Sequence, residues 1–308
     1  MIKEKMKKII NIAQIPMRWL IHGIIFHRLF QLAFPNKVSK SLNNNAELEF
    51  NNLTSQQLNT TQRDKKITVS LTTIPNRIDK IKLVVTRMMN QTVRPDRIVL
   101  YIDEAQKEKF KFNDDLKKLI DLGLTVKYVR DIGPHTKYFY ALQEYKNDIV
   151  ITVDDDIIYS HRLIETLLNS YQAHPHAVSA NIVTNFFFEN GKLAPSTKWR
   201  QKFSYGVGNS HSIGYGVGGV LYPPQIMPEE TFDEDKIRSL CLFADDLWLK
   251  AVENKYDIPV VKSKNGDQLY KYFVTVDGSQ AVSLRSQNDI EDRNIQYLEE
   301  LIPLYWRK

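Results

Sequence analysis

The sequence predicts a doubly wound α/β domain with a mostly parallel sheet, and three observations predict it. From residue 67 onward, short apolar runs alternate with single helical segments. The apolar runs are nearly unbroken, as in strands covered on both faces. Each run is followed by one helix rather than a tight turn, which indicates parallel pairing with helices on both sides of the sheet. Ligands of such sheets sit beyond the carboxyl ends of the strands.

The elements follow in order. "ITVSLTTI" (67–74) is a strand, and "RIDKIKLVVTRMMNQ" (77–91) a helix with apolar residues at helical spacing. "DRIVLYID" (96–103) is the second strand; "FNDDLKKLIDLG" (112–123) is a helix that Gly123 ends as a C-cap. "LTVKYVR" (124–130) is the third strand, "TKYFYALQEYK" (136–146) a helix, and "DIVITV" (148–153) the fourth strand. "SLRSQNDIEDRNIQYLEELIPLYWRK" (283–308) reads as a closing helix with a basic end.

A chain of 308 residues, 43% hydrophobic and 25% charged, can bury a sizeable core and is not generally disordered. Its single cysteine, Cys241, excludes an internal disulfide framework and fits a reducing compartment. The net charge of +6 is concentrated at one end, since residues 1–40 hold eight Lys or Arg and one Glu. The rest of the chain is close to neutral, which argues against nucleic-acid binding by the body.

In residues 1–40, Lys7, Asn11, Gln14, Arg18 and His22 recur at helical steps on one face, opposite Ile9, Ile12, Ala13, Trp19 and Leu20. Pro16 interrupts or restarts this helix. Arg18, His22, His27 and Arg28 break the apolar run too often for a transmembrane span. The segment is expected to lie in the plane of an anionic membrane surface; the alternative is a helix docked on protein. Residues 41–66, rich in Asn, Gln, Ser and Thr, are expected to be a polar linker, with a short helix as the alternative. The third region, 67–308, divides into a nucleotide-binding half at about 67–160 and an acceptor half at about 161–308.

"DIVITVDDDIIYS" (148–160) sets an apolar strand against Asp154, Asp155 and Asp156. Three adjacent carboxylates repel one another, and either solvent or a cation relieves that repulsion. The apolar flanks wedge the turn between buried segments, which favours the cation. Hard oxygen ligands suit Mg²⁺ or Mn²⁺, and the glycine and Glu spacing of an EF-hand is absent.

This run and four further stretches resemble glycosyltransferases of the GT-A fold, family-two-like and bacterial, which end a central strand with a D-x-D motif. "QTVRPDRIVLYID" (91–103), "DIGPHTKYFYAL" (131–142), "GYGVGGVLYPP" (214–224) and "FADDLWLKAV" (243–252) appear in the family's order over about residues 67–265. The resemblance implies a nucleotide-sugar donor, with UDP-sugar first among the candidates. The implied acceptor is a saccharide or lipid-linked glycan of surface polysaccharide synthesis, and the place of action the cytoplasmic face of the cell membrane.

The resemblance also implies roles. Asp156 would ligate Mn²⁺ or Mg²⁺ directly, Asp154 would contact the ribose or the metal through water, and Asp155 would orient the donor sugar. Thr72, Pro75 and Arg77 would flank the nucleotide, with Asp103 bonding its base; otherwise Arg77 is a surface charge and Asp103 a helix cap. Lys137, at the mouth of a helix, would meet the diphosphate, or else be a solvated first-turn lysine. Gly218 and Gly219, in a cluster with Gly214 and Gly216, would let backbone approach the sugar, or only make a bend. Asp246 would be the general base of an inverting transfer with Asp245 bonding the acceptor; the alternative is a pair of helix-start caps. His135 and His211 read as packed or exposed, and Trp199 and Trp248 as core before sugar platforms.

Two other classes share the aspartates. A metal-dependent phosphoryl-transfer enzyme or hydrolase is one, although "VSLTTIPN" lacks the Asp nucleophile usual at the first strand of such hydrolases. A non-catalytic Ca²⁺-binding scaffold is the other.

Overall fold

The computed structural model describes residues 35–55, 58–201, 204–266, 274–279 and 292–306, so the expected amphipathic stretch before residue 35 lies outside the described residues. The four strands predicted from the apolar runs are β1 (Ile67–Thr72), β2 (Arg97–Asp103), β3 (Leu124–Val129) and β4 (Ile149–Thr152). They pair in parallel in the order β4-β1-β2-β3. Beyond β4 the sheet continues through Val220–Tyr222, Val178–Ala180, Val260–Lys262 and Gly206–Val207 to eight strands. Val220–Tyr222 is antiparallel to both of its neighbours, and the sheet remains mostly parallel.

Side-chain alternation on β2 divides the core. Ile98, Leu100 and Ile102 join Leu83, Val84, Met88, Leu116 and Leu119 of the helices Ile81–Met89 and Asp114–Asp121. Val99 and Tyr101 pack instead with Ala141 of the helix Thr136–Glu144. Helices therefore cover both faces, as the unbroken apolar runs require. Asn113 caps its helix by accepting from the Leu116 N–H at 2.9 Å, and Gly123 leaves it at φ +111°.

The polar stretch after residue 40 differs from the expected linker. Pro35–Asn52 is a helix packed mainly on the helix Ile81–Met89, and Ala46, Phe50 and Leu53 bury themselves in the core cluster that Ile81–Met89 shares with β1 and β2. Its asparagines occupy the other positions of the helix, so composition conceals three apolar residues at spacings of four and three. Burying a side chain the size of Phe50 contributes about 1.5–3 kcal/mol toward docking the segment.

The helices Asp245–Lys255 and Arg293–Tyr305 meet where Trp248 packs edge-on to Tyr305. No described helix is long and apolar enough to cross a membrane.

Candidate active site

β1 and β4 run side by side, and the Val153 N–H extends their ladder to the Ser70 carbonyl at 3.0 Å. Asp154 is the first residue past that bond. Its backbone N–H donates to the buried Tyr159 hydroxyl at 2.8 Å, which folds the acidic turn back on itself.

The three carboxylates are separated by their partners. Asp155 is buried, accepting from Thr73 Oγ1 at 2.5 Å and from Arg77 at 2.7 Å. Burial pushes its carboxyl above the ordinary range, against the opposing pull of Arg77 and Thr73. Asp156 lies 3.2 Å from the same guanidinium. Asp154 Oδ1 instead accepts from Lys137 Nζ at 2.7 Å. Side-chain exposure is 27% for Asp154 and 15% for Asp156 but 9% for Asp155, so the outer two face the open end of the sheet more than the middle one.

Lys137, buried in the first turn of the helix Thr136–Glu144, joins the two acidic groups. Its Nζ is also 3.0 Å from Asp245 Oδ2, a contact with the geometry of an ion pair rather than an aligned hydrogen bond. Burial works against the ammonium, but Asp154, Asp245 and Asp246 outweigh it and hold Lys137 protonated well above the usual lysine range.

Asp246, next along the helix Asp245–Lys255, accepts from the Gly216 N–H at 2.9 Å through Oδ1, the only one of its oxygens engaged among the described residues. Burial and the neighbouring Asp245 raise its carboxyl well above the ordinary range, and Lys137 offsets only part of this. A Cβ added at Gly216 would meet Lys137 Nζ at 3.0 Å, Asp246 Oδ1 at 3.4 Å and Asp154 Oδ1 at 3.6 Å. The glycine-rich segment therefore closes over the cluster at Gly216.

Five carboxylates (Asp154, Asp155, Asp156, Asp245, Asp246) face two cations, Arg77 and Lys137. With Asp155 held by Thr73 and Arg77 and Asp245 facing Lys137, Asp154 and Asp156 are the residues of the turn that would hold a divalent cation. No three acidic, His or Cys side chains converge as a ready-made cation cage among the described residues. Two carboxylates with the remaining positions open is a donor set that fits Mg²⁺ or Mn²⁺ bound with phosphate oxygens.

The other predicted residues are placed as follows. Pro75 opens the 3-10 turn Pro75–Lys80 that carries Arg77, so Arg77 is an internal partner of the aspartates rather than a surface charge. Thr72 Oγ1 donates to the Tyr101 carbonyl at 2.9 Å. Asp103 caps the turn after β2, accepting from the Ala105 N–H at 3.0 Å and Gln106 Nε2 at 2.8 Å. Gly218 and Gly219, expected at the donor sugar, instead lie against Ile182 and Leu163, where an added Cβ would stand 2.7 and 2.9 Å from those side chains. They serve backbone packing, and Gly219 also needs its φ of +80°.

His135 is fully buried, with Nδ1 2.7 Å from the Tyr138 hydroxyl and Nε2 2.9 Å from the Cys241 carbonyl. Burial lowers it to about 4, so it is neutral and structural. Trp248 is core, Trp199 packs on Phe186, and His211 stacks on Phe186 with ring centres 4.6 Å apart. Sequence reasoning missed Thr73 and Tyr159, whose hydroxyls bond the acidic turn. Adjacency to the strand ends was the available signal for both.

Residues 71–230 match the family described as Glycosyl transferase family 2. No curated protein matches the chain. Among solved structures, glucosyl-3-phosphoglycerate synthase from Mycobacterium tuberculosis, in complex with Mn²⁺, UDP and glucosyl-3-phosphoglycerate, is similar at 17% identity and a TM-score of 0.30, over 38% of this chain and 43% of that one. The mannosyltransferase PcManGT from Pyrobaculum calidifontis, in complex with GDP-Man and Mn²⁺, is similar at 15% identity and a TM-score of 0.30, over 47% and 43%. CMP:2-keto-3-deoxy-manno-octonic acid synthetase complexed with CTP is similar at 10% identity and a TM-score of 0.39, over 64% and 88%. The chain thus spans less than half the length of either transferase.

Proposed function

The chain belongs to glycosyl transferase family 2, and from that premise we propose that it moves a sugar from a nucleoside-diphosphate sugar, foremost a UDP-sugar, to a hydroxyl of a saccharide or lipid-linked glycan, with inversion. The observation that carries this reading is the meeting of two acidic pairs at Lys137, one from the end of β4 and one from the start of the helix Asp245–Lys255.

In this reading Asp154 and Asp156 hold Mn²⁺ or Mg²⁺ against the donor diphosphate. The bound cation supplies Lewis-acid stabilisation to the charge that develops on the leaving phosphate. Arg77 and Thr73 keep Asp155 turned inward, which fixes Asp154 and Asp156 on either side of it. Lys137 balances Asp154 and Asp245 and keeps the first of these at a set distance from the second group of acids.

Asp246 is the general base. Oδ1 is held by the Gly216 N–H, which leaves Oδ2 to take the acceptor hydroxyl proton. A carboxylate raised above its ordinary range is a stronger base than an exposed aspartate, and so better matched to that proton. Asp245 bears on the acceptor from beside it. Thr72, Pro75 and Asp103 flank the nucleotide at the strand ends, and the acceptor, a glycan of surface polysaccharide synthesis, would be met at the inner membrane face.

The test is to incubate the purified protein with UDP- and GDP-sugars and Mn²⁺ and measure nucleoside diphosphate release with and without glycan acceptors. Donor-specific release that Asp156→Ala abolishes, together with its metal-dependent donor binding, supports the reading. Phosphate release from simple esters instead, or unchanged donor affinity in Asp156→Ala, overturns it.

A further inference from the structure

We propose that Asn43 is a positioning residue for Asp156, acting from the N-terminal helix through the backbone of residues 274–277. The inference rests on the assignment of Asp156 to the donor site above.

Asn43 is buried in the interior of the helix Pro35–Asn52, a position where alanine forms a better helix and an unpaired amide is costly. Its amide is fully used. Nδ2 donates to the Thr275 carbonyl at 3.3 Å and to the Ser39 carbonyl at 3.1 Å, while Oδ1 accepts from the Asp277 N–H at 3.0 Å. One side chain thus bonds the main chain on both sides of Val276, as an adjacent strand would.

Val276 is the residue that reaches the site. Its N–H donates to the Asp156 carbonyl at 2.8 Å, and Val274–Thr275 pairs antiparallel with Ile157–Ile158 directly after the acidic turn. The far end of the segment meets the other side of the cluster. Gly278, at φ +72°, passes so close to Lys80 that an added Cβ would stand 2.6 Å from Nζ. Lys80 ends the turn that carries Arg77, the guanidinium partner of Asp155 and Asp156.

Residues 274–278 therefore touch the main chain of Asp156 and the turn that holds its partner, and Asn43 fixes the middle of that segment. The contact links residues more than 230 positions apart in sequence. It makes the helix next to the basic leader a part of the donor site's support, and outer-shell partners of this kind tune metal affinity.

The experiment compares Asn43→Ala with Phe50→Leu in the full chain. Phe50 is buried on the same helix and packs under Lys82 and Lys118, and its ring can make no hydrogen bond to residues 274–279. Amide hydrogen exchange is followed without ligand at residues 154–158 and 274–279, and Mn²⁺ affinity is measured in the presence of UDP. Asn43→Ala is expected to speed exchange at Val276 and Asp277, whose N–H groups bond the Asp156 carbonyl and Asn43, by about tenfold or more and to weaken Mn²⁺ binding by about tenfold, whereas Phe50→Leu lowers the melting temperature and does neither. Unchanged exchange in Asn43→Ala, unchanged Mn²⁺ affinity beside faster exchange, or equal effects from Phe50→Leu would each overturn the proposal. If the wild-type chain binds no Mn²⁺ with UDP, the donor reading fails separately, and the exchange comparison alone decides whether Asn43 holds Asp156.

Discussion

Lys137 donates to Asp154 at 2.7 Å, and this bond ties the helix before β4 to the turn after it. The same ammonium faces Asp245 at 3.0 Å, so a single buried charge holds both halves of the site. Its removal leaves three neighbouring carboxylates with no cation between them.

Lys137→Met is therefore expected to cost about 3–5 kcal/mol at pH 8, the range for breaking a buried pair from one side. Lys137 holds down part of the upward shift of Asp246, so without the ammonium that carboxyl rises further in the folded state. Carboxylates raised in the folded state favour folding as they protonate, so part of the loss returns as the pH falls. Urea unfolding at two pH values tests this. A loss below ~1 kcal/mol, or one that deepens on acidification, contradicts the pairing.

Asp246→Asn should leave UDP binding unchanged while turnover falls by about 10²–10⁴, the contribution expected of a general base. The raised pKa of Asp246 also sets a sign. Transfer requires the ionised carboxylate, so in the wild-type enzyme activity is lost as pH falls through that raised value, well above the ~3.9 of a free aspartate. A pH–rate profile of kcat/KM with its acid limb at the ordinary position, or near-normal turnover by Asp246→Asn, removes the residue as base.

Gly216→Ala places a methyl 3.0 Å from Lys137 Nζ and 3.4 Å from Asp246 Oδ1. The neighbours are the ends of charged side chains, so they yield by a few tenths of an ångström and folding survives. Displacing the base from its acceptor is the larger effect, and turnover should drop about tenfold with a small change in melting temperature. Equal turnover would mean that the Gly216 N–H does not aim Asp246.

Much of this was legible in the sequence. The runs from Ile67 to Val153 carry their strands openly because β1, β2 and β4 are buried along nearly their whole length and are therefore mostly apolar. Asp154 to Asp156 and Asp245 with Asp246 were legible because each group of acids stands at an element end against apolar residues. The helix Pro35–Asn52 was not, since Ala46, Phe50 and Leu53 are too few to outweigh the surrounding asparagines. Nor was the choice among glycines, because Gly216, Gly218 and Gly219 differ only in what tertiary structure sets beside them. The antiparallel insertion of Val220–Tyr222 between β4 and Val178–Ala180 depends on long-range pairing that a local apolar pattern does not encode.

The basic leader yields the last prediction. Six of the eight Lys or Arg in residues 1–40 precede Pro35, and each contributes about 1 kcal/mol near an anionic surface. Deleting residues 1–34 removes these six and leaves the docked helix that begins at Pro35 intact. The full chain is expected to sediment with phosphatidylserine-containing vesicles at about 0.1 M salt and less so as salt shortens the Debye length. The truncated chain should stay in the supernatant while its turnover on a water-soluble acceptor is unchanged, because Asn43 and its bonds to residues 275 and 277 are retained. Sedimentation of the truncated chain to the same extent would defeat the lipid-binding reading of the leader.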